Sequence, residues 1–258
     1  MNRSNDWRQF WDQKARMSVS DFEVDRLRHT QDEKIEQLSE QELIKFIAPA
    51  ESEIVLDAGC GTGMNILRIH SRVKRIVGID FSSELLQRCR RRIQEHGIAN
   101  AEVQEANVTA VPLPSCSVDK VLCMSVLHYL NDLEVRQALT EFVRVLRPGG
   151  VMVFHVKNLS SLYWATLRPA KKLKEVLKRT NLIEHVRRVR WYSDELASLG
   201  CSVEDYDSFN LFIIDKMPEK LVSAVRGFEI RHHNDVFFRS SFARSHGAEL
   251  MIKAKTQD

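Results

Sequence analysis

Short apolar runs alternate with amphipathic stretches between residues 54 and 155. The apolar runs have strand length and are rich in β-branched side chains, whereas the stretches between them repeat apolar residues every three or four positions, as helices do. Because strands and helices alternate, the pattern predicts a doubly wound α/β domain with a mainly parallel sheet. The predicted strands are Ile54–Leu56, Arg75–Asp80, Ala101–Ala106, Ser117–Ser125 and Val151–His155.

The chain on either side of this core is also patterned. Trp7, Phe10 and Trp11 share one face of a predicted N-terminal helix, which either packs on the domain or covers a ligand, and residues 1–38 are interpreted as a helical lid. Residues 160–190 are a predicted helical insertion rich in Lys and Arg, Arg187 among them, and solvated amphipathic helices are its simplest interpretation. Ser193 is a predicted N-cap of the helix that follows.

Three glycines at alternate positions follow the first strand directly. The run from Asp57 to Gly63 reads Asp-Ala-Gly-Cys-Gly-Thr-Gly and leads into a helix. Glycines let the backbone turn sharply and approach a ligand, and a helix N-terminus favours an anionic group. Asp80 ends the next strand, where a carboxylate accepts hydrogen bonds from ribose hydroxyls. The glycine spacing matches neither a dinucleotide fingerprint nor a P-loop.

The run Asp57–Gly63 resembles the first motif of the class I S-adenosylmethionine-dependent methyltransferases. Asp80 resembles the acidic residue that ends the family's second strand. The segment from Asn107 to Pro114 resembles its Asp-Ala-x-x-Leu-Pro segment, with Asn in place of Asp. Arg147–Gly150, read as Arg-Pro-Gly-Gly, is similar to the family's break before the fifth strand. The resemblance covers roughly residues 43–203 and is to the small-molecule branch that includes ubiquinone-biosynthesis enzymes.

This resemblance implies one methyltransferase domain over residues 1–258. Its fold is an α/β, Rossmann-like doubly wound sheet of seven strands, mostly parallel with an antiparallel last strand and with helices on both faces. Residues 248–254 are the predicted antiparallel strand.

The implied cofactor is S-adenosyl-L-methionine, with S-adenosyl-L-homocysteine as product. By resemblance, Asp57 and the loop hold the methionine part and Asp80 the ribose. Asn107, through its side-chain carbonyl, and Val108 contact the adenine, and Phe81 packs on the adenine ring. The full set of expected cofactor residues is Asp57, Ala58, Gly59, Cys60, Gly61, Gly63, Asp80, Phe81, Ala106, Asn107, Val108 and Met124.

Methyl transfer requires acceptor and methyl group to be held in line, and a hydroxyl acceptor benefits from a general base. His128 follows the fourth strand and His155 ends the fifth, at the edge where such sheets bind ligands, and both are the candidate catalytic residues. The residues expected to line the acceptor pocket are Trp11, Tyr129, Tyr163 and Trp164. A small-molecule O-methyltransferase is therefore the predicted function.

Two other functions remain open from the residues. The basic insertion suits the rim of a pocket for an anionic acceptor, such as a lipid-linked or anionic glycan, and leaves peripheral contact with a membrane open. The second open function is that of a regulatory or scaffold protein that binds the cofactor without methyltransferase activity. No nucleic-acid substrate is expected, because the fourth strand does not end in the Asp/Asn-Pro-Pro-Tyr signature of enzymes that methylate nucleic-acid amino groups. The oligomeric state is not indicated.

Composition bears on the binding partners and the cellular compartment of the protein more than on its reaction. A net charge of +3 over 258 residues is too small to imply a nucleic-acid or membrane partner. Five scattered cysteines favour a reducing compartment, and the polar N-terminus and absence of a long apolar run predict a cytoplasmic protein. His232, His233 and Asp235 lack a third ligand, so no metal is expected.

Overall fold

The fold, given by a computed structural model, is described for residues 3–18, 20–21, 43–161, 183–209, 246 and 249–257. A seven-stranded sheet lies at its centre, in the order β3-β2-β1-β4-β5-β7-β6. β1 to β5 are parallel, and β7 runs antiparallel to both β5 and β6. The predicted fold class is confirmed. The strands are β1 Ile54–Ala58, β2 Arg75–Asp80, β3 Ala101–Glu105, β4 Val118–Cys123, β5 Leu146–Lys157, β6 Cys201–Phe209 and β7 Glu249–Thr256.

Helices cover both faces of this sheet. They are α1 Arg3–Met17, α2 Met64–Ile69, α3 Ser83–Glu95, α4 Asp132–Val145 and α5 Val189–Ser198. Successive strand residues point to opposite faces, so Leu56 and Phe154 pack with α4 and α5, whereas Val55 and Val153 pack in the cluster that contains α2 and α3. Burial on both faces explains why the central strands are continuously apolar.

The helix boundaries follow local capping chemistry. The Ser82 hydroxyl accepts a hydrogen bond from Leu85 N and starts α3. Asn131 and Glu134 form a capping box at the start of α4. The predicted cap at Ser193 is wrong, because α5 begins at Val189 and the Ser193 hydroxyl donates to the Val189 carbonyl from inside the helix.

The predicted break at residues 147–150 is instead a bulge within β5. Leu146 pairs with Val118 and Val151 pairs with Lys120, so four residues of β5 lie opposite the single residue Asp119. Asp119 accepts a hydrogen bond from Ile54 N at 2.8 Å and pairs with Arg147. The bulge therefore ties three strands together at the edge of the sheet opposite the site described below.

Several predicted features lie outside the described residues. They are Tyr163 and Trp164, residues 162–182 of the basic insertion, and His232, His233 and Asp235. Within the described ranges, no cluster of three or more His, Cys, Asp or Glu side chains is arranged to bind a metal ion. No helix in the same ranges has both the length and the apolar character needed to cross a bilayer.

Candidate active site

The glycine-rich loop joins β1 to α2 at the carboxyl edge of the sheet. Its three glycines all have positive φ. The N–H groups of Gly59 and Cys60 donate to the Ile79 carbonyl at 2.7 and 2.9 Å, which ties the loop to the end of β2. A Cβ atom on Gly59 would lie 2.2 Å from Val126 Cγ2, whereas one on Gly61 would meet nothing within 4 Å. Gly59 therefore permits close packing, and Gly61 borders open space that a ligand can fill.

Asp57 in β1 is completely buried, and one of its carboxylate oxygens has no partner within the part of the chain that the structure describes. Oδ1 accepts a hydrogen bond from Asn65 Nδ2 at 3.1 Å, while Oδ2 has no hydrogen-bond partner among the described residues. Burial raises the pKa of Asp57 to about 7; the bond from Asn65 opposes the rise and the charge of Asp80 adds to it. A buried acceptor of this kind is unfavourable without a donor, and a cationic group such as an ammonium would satisfy it.

Asp80 at the end of β2 is held by backbone donors. Oδ2 accepts from Gly61 N and Oδ1 from Ser82 N, both at 2.9 Å. Burial raises the pKa of Asp80 to about 6; these two bonds lower it, and the charge of Asp12 raises it. A carboxylate oxygen has two lone pairs, so Asp80 can also accept from two hydroxyls such as those of a ribose.

Helix α1 lies across this edge of the sheet. The Ser82 hydroxyl donates to Asp12 Oδ1 at 2.5 Å. Arg8 pairs with Glu105 at 2.9 Å, and the Trp7 ring lies 4.4 Å from the Tyr129 ring. These contacts reach from the ends of β2 and β3 to the loop after β4. The helix therefore borders both the expected cofactor site and the expected acceptor site, and its role as a lid stays a prediction.

The residues expected at the adenine differ in what they can offer. The Asn107 side-chain carbonyl already accepts hydrogen bonds from Thr109 N and Oγ1, both at 3.0 Å. Because that oxygen is engaged, the amide N–H groups of Asn107 are better suited to a ligand than the carbonyl is. Val108 is buried, and the Phe81 ring lies 5.9 Å from the Arg8 guanidinium. The other expected cofactor residues are Ala58 and Cys60, both buried, and Ala106 and Met124, both partly buried.

His155 contacts Ser125 and Glu249 at the same carboxyl edge of the sheet. Its Nδ1 lies 2.9 Å from Ser125 Oγ, and its Nε2 lies 3.6 Å from Glu249 Oε2. Ser125 has φ of 61°, a left-handed conformation that is uncommon outside glycine. Neither partner of His155 is among the residues expected from the sequence. The position of Ser125 just after β4 is a usable signal, whereas Glu249 is brought there by the pairing of β7 with β5.

His128 lies in the wall of the site. It belongs to the 3₁₀ turn Leu127–Tyr129 and is 1% exposed. Its ring centroid is 4.2 Å from that of Tyr129, and its carbonyl accepts from His185 N at 2.7 Å. A catalytic role for His128 stays a prediction, and the contacts described here give it a packing role.

Tyr129 joins the aromatic and charged parts of the site. Its ring centroid is 5.9 Å from that of Trp11, another residue expected in the acceptor pocket. Burial raises the pKa of Tyr129 well above its usual value, and the charges of Glu184 and Glu249 raise it further. The hydroxyl therefore stays protonated at neutral pH. Lys157 of β5 forms an ion pair with Glu184.

Arg187 fixes the loop after β4. Its Nε donates to Asp132 Oδ1 at 2.9 Å and its NH2 group donates to the Leu130 carbonyl at 2.8 Å. Its guanidinium lies 4.9 Å from the Trp191 ring. The expectation that this part of the insertion is a solvated helix is wrong, because residues 183–188 are not helical and Arg187 is buried. Charge patterning along the chain cannot separate a buried guanidinium from a solvated one.

Comparisons with known proteins agree with this geometry. Residues 55–150 match a family model described as a methyltransferase domain. The matched stretch begins in β1 and ends within β5. It includes Asp57, the glycine-rich loop, Asp80 and Asn107.

Individual relatives match either in part of their sequence or in fold. Malonyl-[acyl-carrier protein] O-methyltransferase of Serratia marcescens is 34% identical over 110 residues, which are 43% of this chain and 40% of that protein. The structure of YcgJ from Bacillus subtilis is 20% identical with a TM-score of 0.61 and covers 86% of this chain and 99% of its own. The structure of an S-adenosylmethionine-dependent methyltransferase of Mesorhizobium loti is 20% identical with a TM-score of 0.62. This match covers 86% of the present chain and 99% of the Mesorhizobium loti chain. The chain spans about two fifths of the length of the first curated relatives it matches.

Proposed function

We propose that this chain, which belongs to the class I S-adenosylmethionine-dependent methyltransferases, transfers a methyl group from S-adenosylmethionine to an oxygen of a small molecule. The observation that carries the proposal is Asp57 Oδ2, a buried carboxylate oxygen without a described partner, next to a loop that is open at Gly61. The amino group of a methionine moiety is the donor that such an oxygen lacks.

The described residues fit the other parts of the cofactor as well. Asp80 would accept from the ribose hydroxyls, and Asn107, Val108 and Phe81 would border the adenine. When bound, S-adenosylmethionine supplies an electrophilic methyl group on a positively charged sulfur. The chain's own contribution is to hold the acceptor in line with that group and to exclude water, for which the aromatic side chains of Trp11 and Tyr129 are suited.

Transfer to oxygen is supported by two observations. The Serratia marcescens relative is named as an O-methyltransferase. In addition, His155 and Ser125 give the expected acceptor end of the site a hydrogen-bonded imidazole and hydroxyl. A general base of this kind suits an acceptor that must lose a proton as it is methylated.

Calorimetric titration with S-adenosylmethionine and S-adenosylhomocysteine tests the proposal. Binding is expected for the unchanged protein, and Asp57→Asn and Asp80→Asn are each expected to weaken it by roughly 10- to 100-fold, because each removes charge-assisted hydrogen bonds. Asp119→Asn is the matched control, since Asp119 lies at the opposite edge of the sheet and should leave the affinity within about twofold. Folded protein that binds neither compound would contradict the proposal.

A further inference from the structure

Ser125, His155 and Glu249, none of which is among the expected cofactor residues, form a chain of contacts. Ser125 Oγ is 2.9 Å from His155 Nδ1, and His155 Nε2 is 3.6 Å from Glu249 Oε2. The three residues come from the loop just after β4, from β5 and from β7. The register of β5 and β7 pairs His155 with Met251 and Lys157 with Glu249, so Glu249 approaches the imidazole from the neighbouring strand.

The position of Glu249 favours one of the two neutral forms of the His155 ring. A carboxylate near Nε2 favours the tautomer with hydrogen on Nε2. Nδ1 then has a lone pair, which accepts a hydrogen bond from the Ser125 hydroxyl. The oxygen of Ser125 keeps its own lone pairs available to an acceptor group, because its hydrogen is directed to His155.

The conformation of Ser125 fits a functional role. It has a left-handed backbone at φ of 61°, immediately after the strand end and before the turn Leu127–Tyr129. Non-glycine residues in such conformations concentrate at active sites, where surrounding structure holds them in place. Glycine would be less strained at this position, but it could not bond to His155.

The charges around the imidazole are mainly acidic among the described residues. Glu249 faces it from β7, and Lys157 on its own strand is paired with Glu184 from the segment before α5. Tyr129 faces the two glutamates from the loop after β4 and remains protonated. These carboxylates would repel an acceptor that brings a further negative charge, whereas they would not repel a neutral acceptor.

We propose that Ser125, His155 and Glu249 are a proton relay for a neutral hydroxyl on the methyl acceptor, a proposal that rests on the function proposed above. The acceptor oxygen bonds to the methyl carbon as the carbon–sulfur bond breaks, and the electron pair of that bond stays on sulfur. The acceptor proton passes to Ser125 Oγ, and the Ser125 proton passes to His155 Nδ1. Ser125 is the catalytic residue, and His155 and Glu249 act through it.

The same relay argues against a carboxylate as the reacting group. A carboxylate is already deprotonated at neutral pH and requires no base. It would also place a negative charge close to Glu249. The acceptor class assigned here is therefore an alcohol or phenol.

The test is nitrogen NMR of the full-length protein labelled with ¹⁵N in its histidine rings, bound to S-adenosylhomocysteine. His155→Gln assigns the His155 signals by their loss. The expected spectrum is that of a ring with hydrogen on Nε2 and a lone pair on Nδ1. Ser125→Gly should shift the Nδ1 signal, because the bond it accepts is lost, and glycine tolerates the backbone conformation. Glu249→Gln should shift the Nε2 signal.

The outcomes separate the relay from the proposed function. His96 is an exposed imidazole at the end of α3, and its signals should not respond to Ser125→Gly or Glu249→Gln. A His155 ring protonated on Nδ1, or signals unmoved by Ser125→Gly, would overturn the relay. Titration of the same samples with S-adenosylhomocysteine reports on the cofactor site, so a protein that binds it and lacks the expected spectrum loses the relay alone.

Discussion

Replacing Asp57 with Asn is expected to stabilise the ligand-free protein at pH 8 while it weakens cofactor binding. Burial raises the pKa of Asp57 from its ordinary 3.8 to about 7. The folded state therefore binds the proton more tightly than the unfolded state does. The free energy of unfolding falls as the pH rises from about 4 to about 7 and is then level, because above pH 7 folding must bury the charge.

The magnitude follows from that pKa difference. A rise from 3.8 to about 7 corresponds to roughly 4 kcal/mol of lost stability at pH 8, at about 1.4 kcal/mol per unit. Asn has the same shape and keeps the oxygen that accepts from Asn65. It also places an amide N–H₂ group at the position of Oδ2, where an unpaired donor costs about 1–3 kcal/mol. The expected net gain is about 1–3 kcal/mol.

Denaturant unfolding of both proteins at pH 8 and pH 5, without ligand, measures this gain. At pH 5 the wild-type carboxyl is largely protonated in the folded state, so the advantage of Asp57→Asn should shrink by about 3 kcal/mol. Asp119→Asn should lose stability at both pH values, because Asp119 accepts from Ile54 N and pairs with Arg147. An Asp57→Asn protein that is less stable at pH 8, by an amount that does not change at pH 5, would refute the reasoning.

Three further outcomes follow from the described contacts. The affinity for S-adenosylhomocysteine should fall about tenfold between pH 8 and pH 6 in calorimetric titrations, because Asp57 must be ionised to hold an ammonium. The affinity for adenosine, which has no such ammonium, should fall less over the same range. Gly59→Ala should destabilise the protein by roughly 2–5 kcal/mol, because Gly59 has a positive φ and an added Cβ would clash with Val126. Adding Val126→Ala should restore part of the lost stability, and strictly additive unfolding energies of the two changes would contradict the clash. Arg187→Lys should lower stability by about 1–3 kcal/mol, whereas Arg190→Lys, at an exposed position, should change it little; equal effects in thermal unfolding would argue against the anchoring role of Arg187.

The part of the site formed by consecutive residues could be predicted from the sequence. Asp57 lies near the end of one strand, the glycine-rich loop follows that strand, and Asp80 ends the next, so the placement of all of them depends on a single βα unit and its turn. Strand pairing of β1 with β2 then brings these carboxylates together. Local patterns are sufficient here because the spatial neighbours are also near neighbours in the chain.

The remaining contacts depend on long-range packing. Glu249 reaches His155 only because β7 pairs antiparallel with β5, and Asp12 reaches Ser82 only because α1 docks on the sheet edge. In the sequence, Arg187 is indistinguishable from the other basic residues of its segment. Only the fold shows that it is buried and donates hydrogen bonds to Asp132 and to the Leu130 carbonyl. Register between distant strands and the docking of a separate helix leave no signature in a short window of sequence.

Helix α1 also bears on the order in which the chain folds. It precedes the sheet in the chain, and its partners across the edge of the sheet, Ser82, Glu105 and Tyr129, come much later. Contacts between residues so distant in sequence form only after the intervening chain has organised. The Arg8–Glu105 pair that helps to hold α1 is more than two-fifths exposed on both sides, at 43% and 45%, and such pairs contribute little. Helix α1 is therefore expected to dock after the sheet has formed, and its amide hydrogens should exchange faster than those of β1 and β4.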